Sequence, residues 1–299
     1  MRGWWQDLTD LVLPTECGGC GRPRTVLCPR CRAALSGAAP SRVRPVPEPP
    51  GLPAVHAAAR YADEVRAVLL AHKERGALTL AAPLGTALAG AVRAGLLESG
   101  GAGAGGALVG LAGGRGGPVL LVPVPSARWA VRARGHDPAR RIALAAAAEL
   151  RRGGTAARVV AVLRQRRAVA DQAGLNSRQR LENLTGALGV VPGGARLLGG
   201  GRVVLVDDLM TTGASLAEAA RAVRAARCER GPVSCGDGAT AVYAAGSREG
   251  TGERITGPAA EEAYRGHAGP GKAGADGVDD LICAAVIAAP PDSFEINRN

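Results

Sequence analysis

A short segment near residue 205 constrains the fold more than any other part of the sequence. The apolar run 203–206 is followed by Asp207 and Asp208, then by a polar turn at 211–215. A helical pattern begins at the end of that turn and continues to Arg227. An apolar run that leads through a short turn into a helix is typical of a strand covered on both faces of a parallel sheet. The segment therefore predicts an α/β fold.

The same alternation of strand and helix recurs along the chain. Short apolar runs predict strands at 119–124, 158–163, 203–206 and 283–289. Helical spacing predicts helices at 61–75, 80–97, 138–152 and 215–227, with Gly76 as the stop after the first and Asp137 as the N-cap of the third. Strands separated by helices favour parallel pairing with right-handed crossovers. We therefore expect an α/β architecture in which a parallel sheet is flanked by helices on both faces.

Four cysteines lie close together near the N-terminus in two CxxC pairs. Cys17 and Cys20 form the first pair, Cys28 and Cys31 form the second, and seven residues separate them. Each pair can present two thiolates to one tetrahedral ion, and the neighbouring glycines allow a turn that aims backbone amides at the sulfurs. The spacing predicts a small zinc ribbon that holds a structural zinc ion, with a redox dithiol as the alternative.

Composition divides the chain into five segments. The N-terminal segment with the four-cysteine zinc ribbon covers 1–38, and a Pro-rich linker covers 39–53, where six of fifteen residues are proline. The main domain covers 54–227 and resumes at 282–299 with its last strand and C-terminal tail. Residues 228–281 predict a weakly structured insertion, because connections to a strand usually take only about 2 to 6 residues.

The chain is strongly basic, with 37 Lys and Arg against 26 Asp and Glu and a net charge of +11. This excess favours anionic partners such as phosphates, nucleic acid or anionic lipid, without distinguishing among them. No stretch of 18 or more apolar residues is apparent, and the N-terminal residues include Asp7 and Asp10. We therefore expect no membrane span, no secretory signal and a cytoplasmic location.

The turn after the twin acids has the chemistry of a phosphate cradle. In an open parallel sheet, ligands bind beyond the carboxyl ends of the strands, where this turn is expected to lie. Free amides at a helix N-terminus, together with Thr and Ser hydroxyls, bind an anion, and Gly213 lets the backbone approach closely. Carboxylates repel a nearby anion unless they face hydroxyls or a metal. A sugar phosphate satisfies both groups, with its hydroxyls on the acids and its phosphate in the turn.

The whole segment 203–215 resembles the phosphoribosyl pyrophosphate (PRPP) signature of type I phosphoribosyltransferases. Four further segments are similar to the competence protein F (ComF) family. They are the four-cysteine segment 17–31, called the knuckle below, the Val-Pro-Val-Pro motif at 122–125, the Arg-Gly pair at 134–135 and the segment 286–294. The resemblance covers about residues 10–227 and 281–299. The sequence departs from the family at 136–137, where His-Asp replaces the common Phe-Asn, and in the long insertion.

The resemblance implies a type I phosphoribosyltransferase fold and a transferase that binds PRPP with Mg²⁺, transfers phosphoribosyl to an unidentified acceptor and releases pyrophosphate. Asp207 and Asp208 would hold the ribose hydroxyls and would act in catalysis together with Arg180. The cofactor-binding set would comprise the two acids, the turn and the pyrophosphate loop: Asp207, Asp208, Thr211, Thr212, Gly213, Ala214, Ser215, Pro125, Ser126 and Arg128. Among partners, a second copy of the chain in a homodimer is also considered.

The resemblance also concerns the segment 164–188, in which Gln172, Leu175, Arg180 and Asn183 match the family pattern. In related transferases this region is a flexible flap that closes over the substrate, and its arginines could neutralise the departing pyrophosphate. The alternative for the cluster Arg164, Arg166 and Arg167 is a solvated basic face.

Other interpretations stay open at this point. Twin acids at a strand end also resemble a Walker B segment, but the Walker A spacing at 266–272 is followed by Ala273 instead of Ser or Thr. Lys73 either reaches pyrophosphate or is a helix-end lysine in solvent. His72 is expected at the surface or in packing, and His136 near the pyrophosphate loop.

The second functional hypothesis belongs to another class. It is a non-catalytic module that binds PRPP or a nucleotide and acts in DNA uptake through competence proteins or single-stranded DNA. The zinc ribbon and the basic face would supply the DNA contacts.

Overall fold

A computed structural model describes residues 16–101, 117–167, 177–229 and 282–294 of the chain. The expected flap residues Gln172 and Leu175 lie outside these ranges, and so do the first fifteen residues and nearly all of the predicted insertion. The Walker A spacing at 266–272 is outside them as well.

The described strands form one six-stranded sheet and one two-stranded ribbon. In chain order they are β1 Ser41–Val43, β2 Val55–Arg60, β3 Val119–Pro123, β4 Ala157–Val159, β5 Leu163–Gln165, β6 Leu188–Val190, β7 Arg202–Leu209 and β8 Ile282–Ala289. The large sheet has the order β1-β2-β8-β7-β3-β4, and all its neighbours are parallel except β1 and β2. β5 and β6 pair antiparallel in the ribbon.

Eight α-helices surround these strands within the described residues. They are α1 Pro29–Ser36, α2 Asp63–Glu74, α3 Ala81–Gly101, α4 Arg128–Arg134, α5 Pro138–Arg152, α6 Ser177–Leu184, α7 Gly194–Leu198 and α8 Ala214–Cys228. The four helices expected from sequence correspond to α2, α3, α5 and α8. Asp137 caps α5 as expected, because its side chain accepts a hydrogen bond from the Arg140 amide at 3.2 Å.

Two apolar clusters place the helices on opposite faces of the large sheet. One face of the sheet packs against α2, α3 and α5, and it includes Leu121 and Val204 of the central strands. The other face packs against α8, and it includes Leu120 and Val203. Every residue of β3 and β8 is buried, as expected for strands covered on both sides. The molecule is therefore α/β with a mostly parallel sheet flanked by helices.

The segment 158–163 is not the single strand that the apolar run predicts. It is divided between β4 in the large sheet and β5 in the ribbon, with a bend in which the Val162 amide donates to the Val160 carbonyl at 3.0 Å. Val160, Val162 and Leu163 are all buried on the α8 side. The apolar pattern runs through the bend because burial continues across it, so periodicity does not reveal the break.

The Pro-rich segment and the cysteine knuckle pack on the α/β domain. Segment 39–53, expected to be an extended linker, contains the edge strand β1, where prolines are tolerated nearby. Leu27 and Leu35 of the knuckle are buried in the same cluster as α2 and α3. A Cβ at Gly18 would lie 2.6 Å from the Leu80 side chain, so the knuckle backbone touches the domain directly. The knuckle therefore packs directly against the α/β domain.

One helix within the described ranges is long and apolar enough, by length and composition alone, to cross a membrane. It covers Leu78–Ser99 with a mean hydropathy of 1.4. More than half of this window, 56%, is buried inside the protein. Its buried residues Leu84, Leu88 and Val92 belong to the cluster under the sheet, so the helix has the role of a core helix.

Candidate active-site cleft and metal centre

The twin acids lie in a cleft at the carboxyl end of the parallel strands. Asp207 and Asp208 are the sixth and seventh residues of the eight in β7, so they belong to the strand rather than to the segment after it. The cleft has a volume of about 360 Å³ and is bounded by β7, the loop after β3, α2 and the β5–β6 ribbon. Ligands of open parallel sheets bind in this position. The structure thus brings the predicted acids and the predicted pyrophosphate loop to one site.

The two acids differ in their surroundings. Asp208 is only 7% exposed, and its Oδ2 accepts from Lys73 Nζ at 2.9 Å. Asp207 accepts a hydrogen bond from the Asp208 amide at 2.8 Å through Oδ1. Loss of hydration, followed by the neighbouring charge of Asp208, raises the pKa of Asp207 well above its usual value of 3.8, although Lys73 and the amide oppose this. The pair therefore favours ligands that donate hydrogen bonds or bring positive charge.

Lys73 is a member of the cleft. Its burial lowers the pKa of its ammonium, but the charges of Asp208 and Asp207 outweigh that effect and raise the pKa above its ordinary range. The side chain is 35% exposed and points at the acids, so the interpretation as a solvent lysine is wrong. One signal was present in the sequence: Lys73 and Lys272 are its only lysines, whereas arginine supplies the remaining basic residues.

The turn after β7 forms the rim of the cleft. Thr211 and Ser215 line it, whereas Thr212, Gly213 and Ala214 complete the turn without lining it. Gly213 has φ +74°, and a Cβ there would lie 3.1 Å from the Leu52 side chain, so both conformation and space favour glycine. No side chain caps α8, so the amides of its first turn are available to an anion.

The loop after β3 forms the opposite wall. Pro125, Ser126 and Ala127 line the cleft, and the Val124 amide bonds the Val206 carbonyl at 2.9 Å, which ties the start of the loop to β7. Arg128 begins α4, and its side chain lies outside the described part of the structure. The same helix adds Arg134, which lines the cleft and pairs with Glu74 at 3.3 Å. Helix α4 and the place of Arg134 in the cleft were not expected from sequence.

The arginines of the expected flap do not act together. Arg180 approaches the rim, with Nη1 3.4 Å from Thr211 Oγ1. Arg167 bonds the carbonyls of Asn183 and Thr185 at 2.8 and 2.9 Å, which is a structural role. Arg164 and Arg166 line another pocket, whereas Gln165 between them lines the cleft. Alternation along β5 explains this difference. The expectation that Arg164 and Arg166 face departing pyrophosphate is therefore not met.

Two histidines pack behind the cleft. His72 is fully buried, its Nδ1 bonds the Ala77 carbonyl at 3.2 Å, and its ring is 5.7 Å from that of His136. Burial lowers the pKa of His72, and the neighbouring His136 adds to this effect. His72 is thus a packing residue, and the His136 ring packs against it.

The four N-terminal cysteines come together as a candidate metal centre. Their sulfur atoms all lie within 4.8 Å of one another, and those of Cys20 and Cys28 are 3.6 Å apart. Tetrahedral coordination with Zn–S bonds of about 2.3 Å requires sulfurs roughly 3.8 Å apart, so the cluster fits zinc. Four thiolates fill a tetrahedral site, which leaves no open position for chemistry.

The knuckle backbone prepares Cys17 for a cation. The Cys28 amide donates to Cys17 Sγ at 3.3 Å. Burial alone would raise the pKa of Cys17, but hydrogen bonds from backbone groups of Cys20, Cys28 and Gly19 lower it to about 6. Three of the four cysteines are buried and Cys20 is exposed, so the centre lies at the surface of the domain.

Comparison with protein-family models finds none that matches this chain. A search of curated proteins likewise finds no significant relative. Functional inference therefore depends on the residues and on the geometry of the cleft.

Proposed function

We propose that the protein is a ComF-like phosphoribosyltransferase of the type I fold, which binds PRPP with Mg²⁺ and transfers its phosphoribosyl group to an acceptor. The supporting observation is that the acid pair Asp207 and Asp208 and two hydroxyl residues of the turn that opens the uncapped helix α8, Thr211 and Ser215, line the same cleft. A sugar diol and a terminal phosphate on one molecule match those two groups. The α/β architecture and the location at the carboxyl ends of the strands agree with this proposal.

Each part of the cleft takes one part of PRPP in this proposal. Asp207 and Asp208 accept hydrogen bonds from the ribose hydroxyls. The hydroxyls of Thr211 and Ser215 and the first-turn amides of α8 bind the 5-phosphate, and the loop with Ser126 binds pyrophosphate. Lys73 neutralises Asp208 while the cleft is empty, which lowers the repulsion between the two acids until the sugar arrives.

The transfer is a displacement at the anomeric carbon. The bond from that carbon to the pyrophosphate oxygen breaks, its electron pair leaves with pyrophosphate, and a lone pair of the acceptor forms the new bond. The acceptor then loses one proton if it is an amine or a ring N–H group. Mg²⁺ that accompanies PRPP supplies charge neutralisation on the pyrophosphate. The chain's own residues orient the sugar and stabilise the departing charge, and no protein nucleophile is needed.

Pyrophosphate release is the direct test of turnover. The purified full chain is incubated with PRPP, Mg²⁺ and a panel of bases and amines, and pyrophosphate is measured. In a parallel calorimetric titration, we expect Thr211→Val/Ser215→Ala to weaken PRPP binding at least about tenfold, because two hydrogen bonds to a charged phosphate are lost. Thr86→Val is a matched control on the exposed part of α3. PRPP binding that is unchanged in the double variant would contradict the proposal.

Arg180 is expected to bind the 5-phosphate. Because its guanidinium lies at the rim beside Thr211, Arg180→Gln is expected to weaken PRPP binding at least about tenfold, with a smaller change in kcat. Arg178→Gln is the matched control, since that arginine is exposed and paired with Glu182. Equal losses in both variants would point to damage of α6 and would contradict a specific role for Arg180.

A second candidate is a module that binds PRPP or a nucleotide without turnover and acts through competence proteins or single-stranded DNA. The observation in its favour is the Lys73–Asp208 pair, which occupies an oxygen that a catalytic acid would offer to ribose. PRPP binding without pyrophosphate release, together with a DNA affinity that falls steeply with salt, would favour this candidate.

A further inference from the structure

A second pocket lies on the far side of the β5–β6 ribbon from the cleft. It has a volume of about 250 Å³ and is enclosed between the ribbon, the turn after β6 and the outer face of α8. Arg164 and Arg166 reach it because they alternate with Gln165, which faces the cleft. The ribbon therefore separates two pockets, and nothing in the proposed reaction uses the second one.

The two arginines differ from their neighbour Arg221 in what they contact. Arg221 donates to Glu218 at 2.7 and 2.8 Å and to the Leu188 carbonyl at 3.1 Å, so its guanidinium is engaged within the protein. Arg164 and Arg166 are exposed, and although Glu229 also lines the pocket, no ion pair joins it to either arginine within the described residues. The two guanidinium groups therefore lie beside one concavity with N–H donors that a ligand can use. Such a pair of planar donors matches the geometry of a phosphate.

The pocket has a firm frame. Glu218 accepts from the Leu188 amide at 3.0 Å, which joins the ribbon to α8 and fixes one wall. A Cβ at Gly189 would lie 2.6 Å from Arg166 Cδ, so the glycine leaves room for the Arg166 side chain to lie across β6. The lining also includes apolar residues of both elements, Val190 of β6 and Ala222 of α8. The arginines are thus presented over a preformed surface and not on a mobile tip.

Size and chemistry limit the ligand. The volume is below the roughly 300 Å³ at which sites for drug-sized ligands begin. No aromatic side chain is present among the described lining residues, so the pocket lacks a platform on which a nucleic-acid base can stack. We infer that this pocket binds a small phosphorylated ligand, either inorganic phosphate or the phosphate of a small sugar ester, at a site distinct from the cleft.

Phosphate titration of the full chain tests the inference. Inorganic phosphate is added at fixed ionic strength, and binding is followed by calorimetry and by the ³¹P line width. We expect Arg164→Gln/Arg166→Gln to weaken binding at least about tenfold, since two charge-assisted contacts are lost. Ala225→Phe, which fills the pocket without changing charge, is expected to do the same. The control Arg140→Gln/Arg152→Gln removes equal charge from exposed positions on α5 and is expected to change little.

The cleft itself also presents donors to phosphate, so the same titration is made in the Thr211→Val/Ser215→Ala background. Binding that persists there and disappears on adding the arginine substitutions supports the second site, whether or not PRPP is a substrate. Phosphate binding that is lost in the cleft variant alone, or that falls equally in the α5 control, would overturn the inference. Ribose 5-phosphate and a twelve-residue oligothymidylate serve as further probes, and binding of the oligonucleotide alone through these arginines would also overturn it.

Discussion

Asp207→Asn is expected to abolish PRPP binding while making the folded protein more stable. The carboxylate of Asp207 is poorly hydrated and lies beside the charge of Asp208, so holding it ionised is unfavourable in the free protein. The amide is nearly isosteric but donates where a sugar hydroxyl needs an acceptor. We expect PRPP affinity to fall at least about a hundredfold, and the free energy of unfolding at pH 7 to rise.

The stability gain has a definite pH dependence. Because the folded-state pKa of Asp207 is raised above its unfolded value of 3.8, the protonated carboxyl is the form that folding favours. Its contribution to stability is fully present below about pH 4 and is lost as the pH rises through the folded pKa. The difference in stability between Asp207→Asn and the wild type is therefore expected to grow with pH across that window. Urea unfolding at several pH values measures it.

Asp208→Asn is the matched control, and it is expected to have the opposite effect on stability. This change removes the partner of Lys73 and leaves a partly buried ammonium without its ion pair. Because the lysine side chain is partly open to solvent, we expect a loss of only about 1 to 2 kcal/mol, together with loss of PRPP binding. Equal destabilisation by both variants would contradict the description of the acid pair. Unchanged PRPP affinity in both would contradict the proposed function and leave the electrostatic description intact.

Loss of zinc is expected to destabilise the whole domain and not only the knuckle. Cys17, Cys28 and Cys31 are buried in the same apolar cluster as α2, α3 and one face of the sheet. A structural zinc site in a peptide supplies an apparent binding free energy of about 10 to 16 kcal/mol at pH 7, much of which becomes folding free energy. We expect metal removal by a chelator, or Cys31→Ser, to lower Tm by more than about 10 °C.

The zinc prediction is checked by metal analysis and thermal unfolding. The expected stoichiometry is one zinc ion per chain in the purified protein and none in Cys31→Ser. Cys283→Ser is the matched control, because Cys283 is a buried thiol outside the four-cysteine cluster, and burial raises its pKa to about 11. An unchanged zinc content in Cys31→Ser, or a metal-free protein with the Tm of the loaded form, would show that the four cysteines are not a structural zinc site.

Local patterns in the sequence were sufficient to predict much of the fold. The apolar runs at 119–124 and 283–289 are central strands, as predicted. They were predictable because a strand that is buried on both faces requires apolar residues at every position. The cap at Asp137 and the stop at Gly76, which has φ +68°, were predictable because one residue's chemistry decides them. The four-cysteine cluster belongs to the same class, since its ligands are close in the chain.

Contacts between distant residues could not be predicted in this way. Lys73 and Asp208 are 135 residues apart, and the sequence around either residue does not predict its contact with the other. The direction in which Arg164 and Arg166 point depends on where β5 begins, and the apolar run 158–163 hides the bend before that strand because it continues into Leu163. Burial is recorded in the sequence, whereas the partner across a sheet or cleft is decided by topology.

The position of β8 has a consequence for the biogenesis of the protein. This strand follows the other described strands in the chain, yet it lies inside the sheet with β2 on one side and β7 on the other. Until residues 282–289 have left the ribosome, the facing edges of β2 and β7 have no neighbour, so the sheet cannot close during earlier synthesis. Folding of the domain can therefore be completed only after this strand has been synthesised. A nascent chain that stalls before that point would expose the unpaired edges of β2 and β7, which chaperones can bind.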